Sequence, residues 1–178
     1  MADINSKNEI LSSLKDSGQR AHNWFDGIPA DQFFIRQGEM WSASDNIDHM
    51  IKAIKPIIKA LKLPKMALQT LFGKPVNLSR TYGEICTIYS DEIAKGAKAS
   101  GIFLPHQETP ESPDEKKAES MLHLVMELDK LISAVEKWEE NELDEVQLPH
   151  PIIGKITVRE MLFFTIHHNL RHASQEGD

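Results

Sequence analysis

The sequence predicts an all-α protein. Apolar residues recur at helical spacing in five segments, and no segment shows the sustained alternation of apolar and polar residues that a half-buried strand requires. Two segments, Ser-Ala-Ser-Asp from Ser42 and Thr-Val-Arg-Glu from Thr157, have the pattern of a capping box just before an amphipathic run. We therefore expect Ser42 and Thr157 to be helix N-caps.

Two helices and a connection are predicted in the first part of the chain. The helices cover residues 8–25 and 42–61, and Gly27 and Pro64 end them. Residues 63–79 contain two prolines and a glycine, which predicts a connection with one short helix. Apolar spacing places on the inner face of the first helix Ile10, Leu11, Leu14, Ala21 and Trp24.

Three further helices follow, over residues 80–99, 114–140 and 157–175. Three prolines make residues 101–113 an irregular crossover, and residues 150–156 form an extended approach to the last helix. The long apolar stripe of the fourth helix comprises Leu122, Val125, Leu128, Leu131, Ile132 and Val135. Crossovers of this length predict either a bundle with long connections or a ligand site walled by them.

Composition narrows the classes of function. The length of 178 residues predicts one domain, residues 1–178, which buries enough surface to fold without a metal or disulfide. The formal net charge of −7 predicts no nucleic-acid partner. A single cysteine, Cys86, and a first segment without an apolar stretch indicate the cytoplasm, and the sequence holds no membrane-length apolar run.

The most informative polar residues are histidines. His168 and His172 are one helical turn apart on the same face, so both rings can reach one ion, whereas His167 projects about 100° away. Such a pair is weak evidence alone, because histidine is also common on helix surfaces and in satisfied core positions. His49 lies at the edge of the apolar arc of the second helix and can supply a third ligand across a cleft, or can simply be partly exposed.

Other candidates have simpler explanations. His22, His106 and His123 lack a partner at one-face spacing, and His150, which precedes Pro151, is expected to cap or pack. Trp41 is expected to anchor packing, and Cys86 to be a small buried hydrophobe. Asp45, Asp48 and Glu160 are candidates for a general base only through their positions in the sequence, with solvation on a helix surface as the simpler explanation.

The spacing of several elements resembles that of the DinB-like superfamily, also described as DinB/YfiT-like metalloenzymes. These elements are Trp41-Ser42 with His49 downstream, His-Pro-x-x-Gly from His150, and His168-x-x-x-His172-x-x-Gln175. The resemblance covers nearly the whole chain. It implies a four-helix bundle of up-down-down-up order, with the helix over residues 80–99 as an addition.

The resemblance also implies that His49, His168 and His172 hold one divalent ion, zinc or nickel, with Gln175 as a hydrogen-bonding neighbour. It implies a metal-dependent hydrolase, or a transferase that uses a low-molecular-weight thiol, acting on a small molecule in a homodimer. Three neutral imidazoles leave a coordination position open, which is typical of catalytic sites. The alternatives are a noncatalytic metal- or ligand-binding module and a helical bundle that binds no metal. A deep apolar pocket beside the histidines would favour an enzyme.

Overall fold

The computed structural model describes residues 4–174 and is mostly helical. The helices are α1 (Lys7–Asp26), α2 (Ala30–Phe33), α3 (Ala43–Leu61), α4 (Lys65–Phe72), α5 (Tyr82–Ala94), α6 (Pro113–Val135), α7 (Glu142–Glu145) and α8 (Val158–His172). Within the described range, none of them is both long and apolar enough to cross a membrane.

The two predicted N-caps are confirmed. The Asp45 N–H donates to Ser42 Oγ at 3.1 Å, and the Ser42 N–H donates to the Asp45 carboxylate at 2.9 Å. The same reciprocal pair joins Thr157 and Glu160, at 3.2 and 2.8 Å. Each box satisfies two N–H groups that a helix start otherwise leaves unpaired, so the local sequence defines where α3 and α8 begin.

Four long helices pack around the core in a ring. α1 contacts α6 and α8, and α3 contacts the same two helices. α1 approaches α6 closely at Gly18, where a Cβ would lie 2.9 Å from the end of the Leu128 side chain. α5 packs on α8 outside the ring, as expected for an additional helix.

Two residues predicted to face inward are exposed. Trp24 is 41% exposed and its neighbour Phe25 is buried, while Leu122 is 61% exposed and Leu124 is buried. One position along a helix rotates a side chain by about 100°, so a small error in the assumed inner arc exchanges neighbours between core and surface. The sequence alone did not reveal this error, because folded proteins also expose single large apolar side chains, as this one exposes Trp24 and Leu122.

Helix ends and strands also differ from the prediction. α5 ends at Ala94, just before Gly96 at φ 95°, and α6 ends at Val135, so both are shorter than predicted. The extended approach to α8 is a β-hairpin, in which β1 (Gln147–His150) pairs antiparallel with β2 (Gly154–Thr157). The fold is therefore not purely helical. Strands of four residues are too short to show the alternation by which a strand is recognised.

Buried charges fix the beginnings of α3 and α8. Arg36 donates to Asp45 at 2.6 and 2.9 Å, and Arg80 donates to Glu160 at 2.7 and 3.2 Å. Arg159 bridges Asp144 and Glu140, which ties α8 to the segment around α7. Burial raises the pKa of Asp45, but hydrogen bonds from Arg36 and Ser42 outweigh burial and hold that pKa below its ordinary value.

We predict that Ser42→Ala lowers the free energy of unfolding by about 1 kcal/mol, because the Asp45 N–H loses its acceptor at the start of α3. Urea unfolding followed by circular dichroism measures the change. Ser12→Ala is the matched control, since Ser12 is exposed inside α1 and alanine favours a helix there. Equal effects of the two substitutions would contradict the capping role.

Candidate metal centre

The structure brings His49, His168 and His172 together. His49 comes from α3 and the other two from α8, and all three are buried. The Nε2 atom of His168 lies 3.0 Å from that of His49 and 3.1 Å from that of His172. One nitrogen from each ring lies within 4.8 Å of the other two. This cluster has the size of a single coordination sphere.

Hydrogen bonds on the far side of two rings define their tautomers. His172 Nδ1 lies 2.6 Å from Asn46 Oδ1, and the Asn46 amide nitrogen donates to the Ser42 carbonyl at 2.8 Å, which fixes the orientation of the amide. His49 Nδ1 lies 2.7 Å from the Phe103 carbonyl. Because both partners can only accept, each Nδ1 carries the proton, and each Nε2 turns a lone pair toward His168.

The carbonyl that holds His49 belongs to the long crossover between α5 and α6. Phe103 ends a single 3-10 turn, Gly101–Phe103, and two further contacts fasten the next residues to α3. Lys52 donates to the Leu104 carbonyl at 2.7 Å, and Asp48 accepts from the His106 N–H at 2.8 Å. The crossover therefore completes the arrangement of the histidines, although it contributes no side chain to the cluster.

The donor set fits a divalent ion. Nitrogens held about 2.0–2.1 Å from one ion lie about 2.9 Å apart at an octahedral angle and about 3.4 Å apart at a tetrahedral angle, a range that includes both measured separations. Lone pairs that face one another at such distances repel unless a cation or proton lies between them. Burial and the neighbouring imidazoles hold the pKa of His168 well below its ordinary value, so the doubly protonated, cationic ring is disfavoured there.

Two depressions flank the cluster. On the side of His49 and His168 is an apolar cavity of about 90 Å³, whose walls include Tyr89, Phe103 and Phe164. On the side of His172 is a more polar cleft of about 310 Å³, bordered by Trp41, Gln37 and Arg171. The Trp41 ring lies 4.9 Å from the His49 ring and is stacked at 6.2 Å from the His172 ring, so Trp41 packs against the histidines as the sequence predicted.

Other predicted site residues lie elsewhere. His167 leaves the cluster and packs against Tyr89, at 6.0 Å between ring centroids. Gln175 lies outside the described residues. Asp45 and Glu160, which were expected to be solvated, are buried in arginine pairs and caps. Burial raises the pKa of the Cys86 thiol, which disfavours the nucleophilic thiolate.

Four contributors to the site were missed by sequence reasoning. The Phe103 carbonyl gives no side-chain signal, because any residue carries one. Tyr89 and Phe164 looked like ordinary apolar positions, yet both line the cavity. Asn46 could have been found, since it lies three residues before His49 on the same border of the helix and carries the amide that such a neighbour needs.

The fold and the site define the class of this protein, which is a helical protein with a buried cluster of three histidines. Comparison of its sequence with family models gives the family. The family model for the DinB family matches residues 1–176, and the chain belongs to that family. The predicted family is therefore confirmed. No curated protein matches the chain.

A solved structure similar to this chain is the crystal structure of the colibactin self-resistance protein ClbS in complex with a dsDNA. The alignment covers 95% of this chain and 91% of that chain, with a TM-score of 0.49 and 12% identity. That protein is in complex with dsDNA, and our prediction that net charge excludes a nucleic-acid partner is wrong as an exclusion. Total charge ignores its local distribution, which governs such binding. At this identity the likeness does not say what the present chain binds.

His150 provides a pH-dependent prediction. Burial lowers the pKa of His150 to about 4 from an ordinary 6.5, so the unfolded chain takes up a proton between these values while the folded chain does not. Stability therefore decreases as pH falls from about 6.5 to about 4, and this residue contributes a loss of about 3 kcal/mol.

Urea unfolding of metal-free protein between pH 7 and 4 measures this loss. Other groups titrate in the same range, so the informative quantity is the difference from His150→Gln, whose side chain does not titrate. We expect a shallower decrease in the variant. Parallel curves for the two proteins would contradict a buried neutral His150.

Proposed function

We propose that this protein is a metal-dependent enzyme in which His49, His168 and His172 hold one divalent ion, zinc or nickel. The observation that carries the proposal is the convergence of three buried Nε2 atoms, two of them with lone pairs oriented by acceptors on the opposite Nδ1. Outer hydrogen bonds of this kind are typical of metal-ligating histidines. Membership of the DinB family supports the same site.

We propose a catalytic rather than a purely binding role, with a small molecule as substrate. A bound ion of this type supplies a Lewis acid, which lowers the pKa of a coordinated water to about 7 or holds a small thiol as its thiolate. The chemistry supported is hydrolysis or transfer to a low-molecular-weight thiol. The apolar cavity beside His49 and His168 favours turnover over simple metal storage, because it can hold an organic substrate against the centre.

The residues of the chain have definable tasks in this proposal. Asn46 and the Phe103 carbonyl keep two rings in the ligating tautomer. The aromatic walls of the cavity present an apolar surface on one side of the cluster, and the polar cleft beside His172 leaves a separate approach for a hydrophilic reactant. We also propose that the ring of α1, α3, α6 and α8 has the up-down-down-up order of DinB-like bundles. The expected homodimer stays a prediction.

We predict that His168→Ala reduces the bound metal to a small fraction of one ion per chain, because it removes the ligand that lies within 3.1 Å of both others. His167→Ala, on the same helix and outside the cluster, should keep wild-type metal content. Inductively coupled plasma mass spectrometry on untagged protein, incubated with zinc or nickel and then desalted, gives the stoichiometry.

Loss of the ion should also lower the melting temperature without unfolding the protein, because the bundle has an apolar core of its own. Equal depletion by both substitutions, or full metal content in His168→Ala, would contradict the site.

Turnover is tested with the metal-loaded protein on a panel of small ester, amide and electrophile substrates, with and without glutathione, bacillithiol or mycothiol. We expect activity that chelation removes and that His168→Ala lowers at least about 100-fold, as removal of a ligand to a catalytic ion implies. His167→Ala should remain active. If the protein binds one metal ion per chain but turns over no combination of substrate and thiol, the noncatalytic binding module is favoured.

A further inference from the structure

The apolar cavity is lined by a buried histidine that the metal proposal does not use. His150 ends β1, is 6% exposed, and lines the cavity together with His49 and His168. The Phe164 ring contacts the rings on both sides, at 4.3 Å from that of His150 and 4.9 Å from that of His168. His150 is therefore separated from the histidine cluster by about the width of one aromatic ring.

The hairpin turn fixes the tautomer of His150. Its Nδ1 accepts hydrogen bonds from the backbone N–H groups of Ile152 and Ile153, at 3.2 and 3.0 Å. A nitrogen that accepts from two N–H groups carries no proton, so the proton of the neutral ring lies on Nε2. Gly154 at φ 85° then lets the chain turn into β2.

This Nε2–H has no acceptor in the described chain, residues 4–174. Around it, Tyr89 and Phe164 present ring edges and faces, and no lysine or arginine lines the cavity. A donor left unpaired in apolar surroundings is unfavourable, and a bound acceptor can pair with it. With no cationic side chain in the walls, the cavity disfavours an anionic acceptor.

We propose that this cavity binds an uncharged organic compound with an aromatic or branched alkyl body, and that His150 Nε2–H donates a hydrogen bond to its acceptor oxygen, such as a carbonyl. His150 is then a positioning and specificity residue for that compound. The assignment of the compound as substrate of the adjacent centre rests on the proposed function, whereas its binding in the cavity does not.

The test uses acetophenone and α-methylstyrene, which share one shape and differ by a carbonyl oxygen in place of a methylene group. Ligand-observed NMR titration of the chelator-treated wild-type protein gives both affinities without metal coordination. We expect acetophenone to bind about five- to tenfold more tightly, as one neutral hydrogen bond of about 1 to 1.4 kcal/mol allows. Equal affinities would overturn the proposal.

His150→Phe keeps an aromatic ring and removes the donor, so its preference should fall below twofold while α-methylstyrene still binds. His123→Phe is the matched control, because His123 is half exposed on α6 beside Glu127 and should keep the wild-type preference. A preference that survives in His150→Phe would assign the donor to another group and overturn the proposal.

A second measurement does not depend on folding of the variant. Long-range ¹H–¹⁵N correlation of wild-type protein at pH 7 should show His150 as the Nε2–H tautomer, and acetophenone should shift its Nε2 resonance more than α-methylstyrene does. An Nδ1–H tautomer would overturn the proposal.

Metal content, measured on the same preparations before chelation, separates the two claims. A carbonyl preference without metal binding would support the cavity and contradict the metal function. Metal binding without a carbonyl preference would support the metal function and contradict the proposal for the cavity.

Discussion

The arrangement of the site depends on three imidazole Nε2 atoms that converge in a buried position. Such a cluster is unfavourable by itself, because burial removes hydration from the nitrogens and brings like dipoles together. It persists in the fold because the opposite edges of two rings are anchored, His172 to Asn46 and His49 to the Phe103 carbonyl. The unfavourable contact and the anchors together form a site that a cation would stabilise.

This convergence requires that α3 and α8 keep a fixed relation. Both helices begin at capping boxes whose acidic member is also bound by an arginine from outside the helix, Arg36 for Asp45 and Arg80 for Glu160. These carboxylates therefore do structural work, and a general base would have to come from another group. Because breaking a buried pair leaves an uncompensated charge, such pairs hold the helix starts in one position.

The two sides of the histidine cluster differ in polarity. The apolar cavity lies where the hairpin, α5 and the 3-10 turn, which are additions to the four-helix ring, meet α3 and α8. The cleft on the other side lies between α1, α3 and the segment around α2. A site open on two chemically different sides suits a reaction between an apolar compound and a hydrophilic partner.

The sequence by itself determined the features that depend on residues close together in the chain. Capping boxes need four residues, and the spacing of His168 and His172 on one helix face follows from helical geometry, so the starts of α3 and α8 and two of the three clustered histidines were predictable. Membership of the DinB family was predicted from longer spacings, and that resemblance added His49. The fold over residues 150–157 was not predicted, since strands of four residues leave no periodic signal.

Only the tertiary structure decided the remainder. The Phe103 carbonyl reaches His49 across 54 positions of sequence, through a crossover whose own residues give no periodic pattern. The cavity likewise exists only where the hairpin meets α5 and α3, and one edge of the His150 ring faces the cavity because a turn occupies its other edge. Long-range contacts of this kind depend on how elements pack, and packing is a property of the whole chain rather than of any local segment.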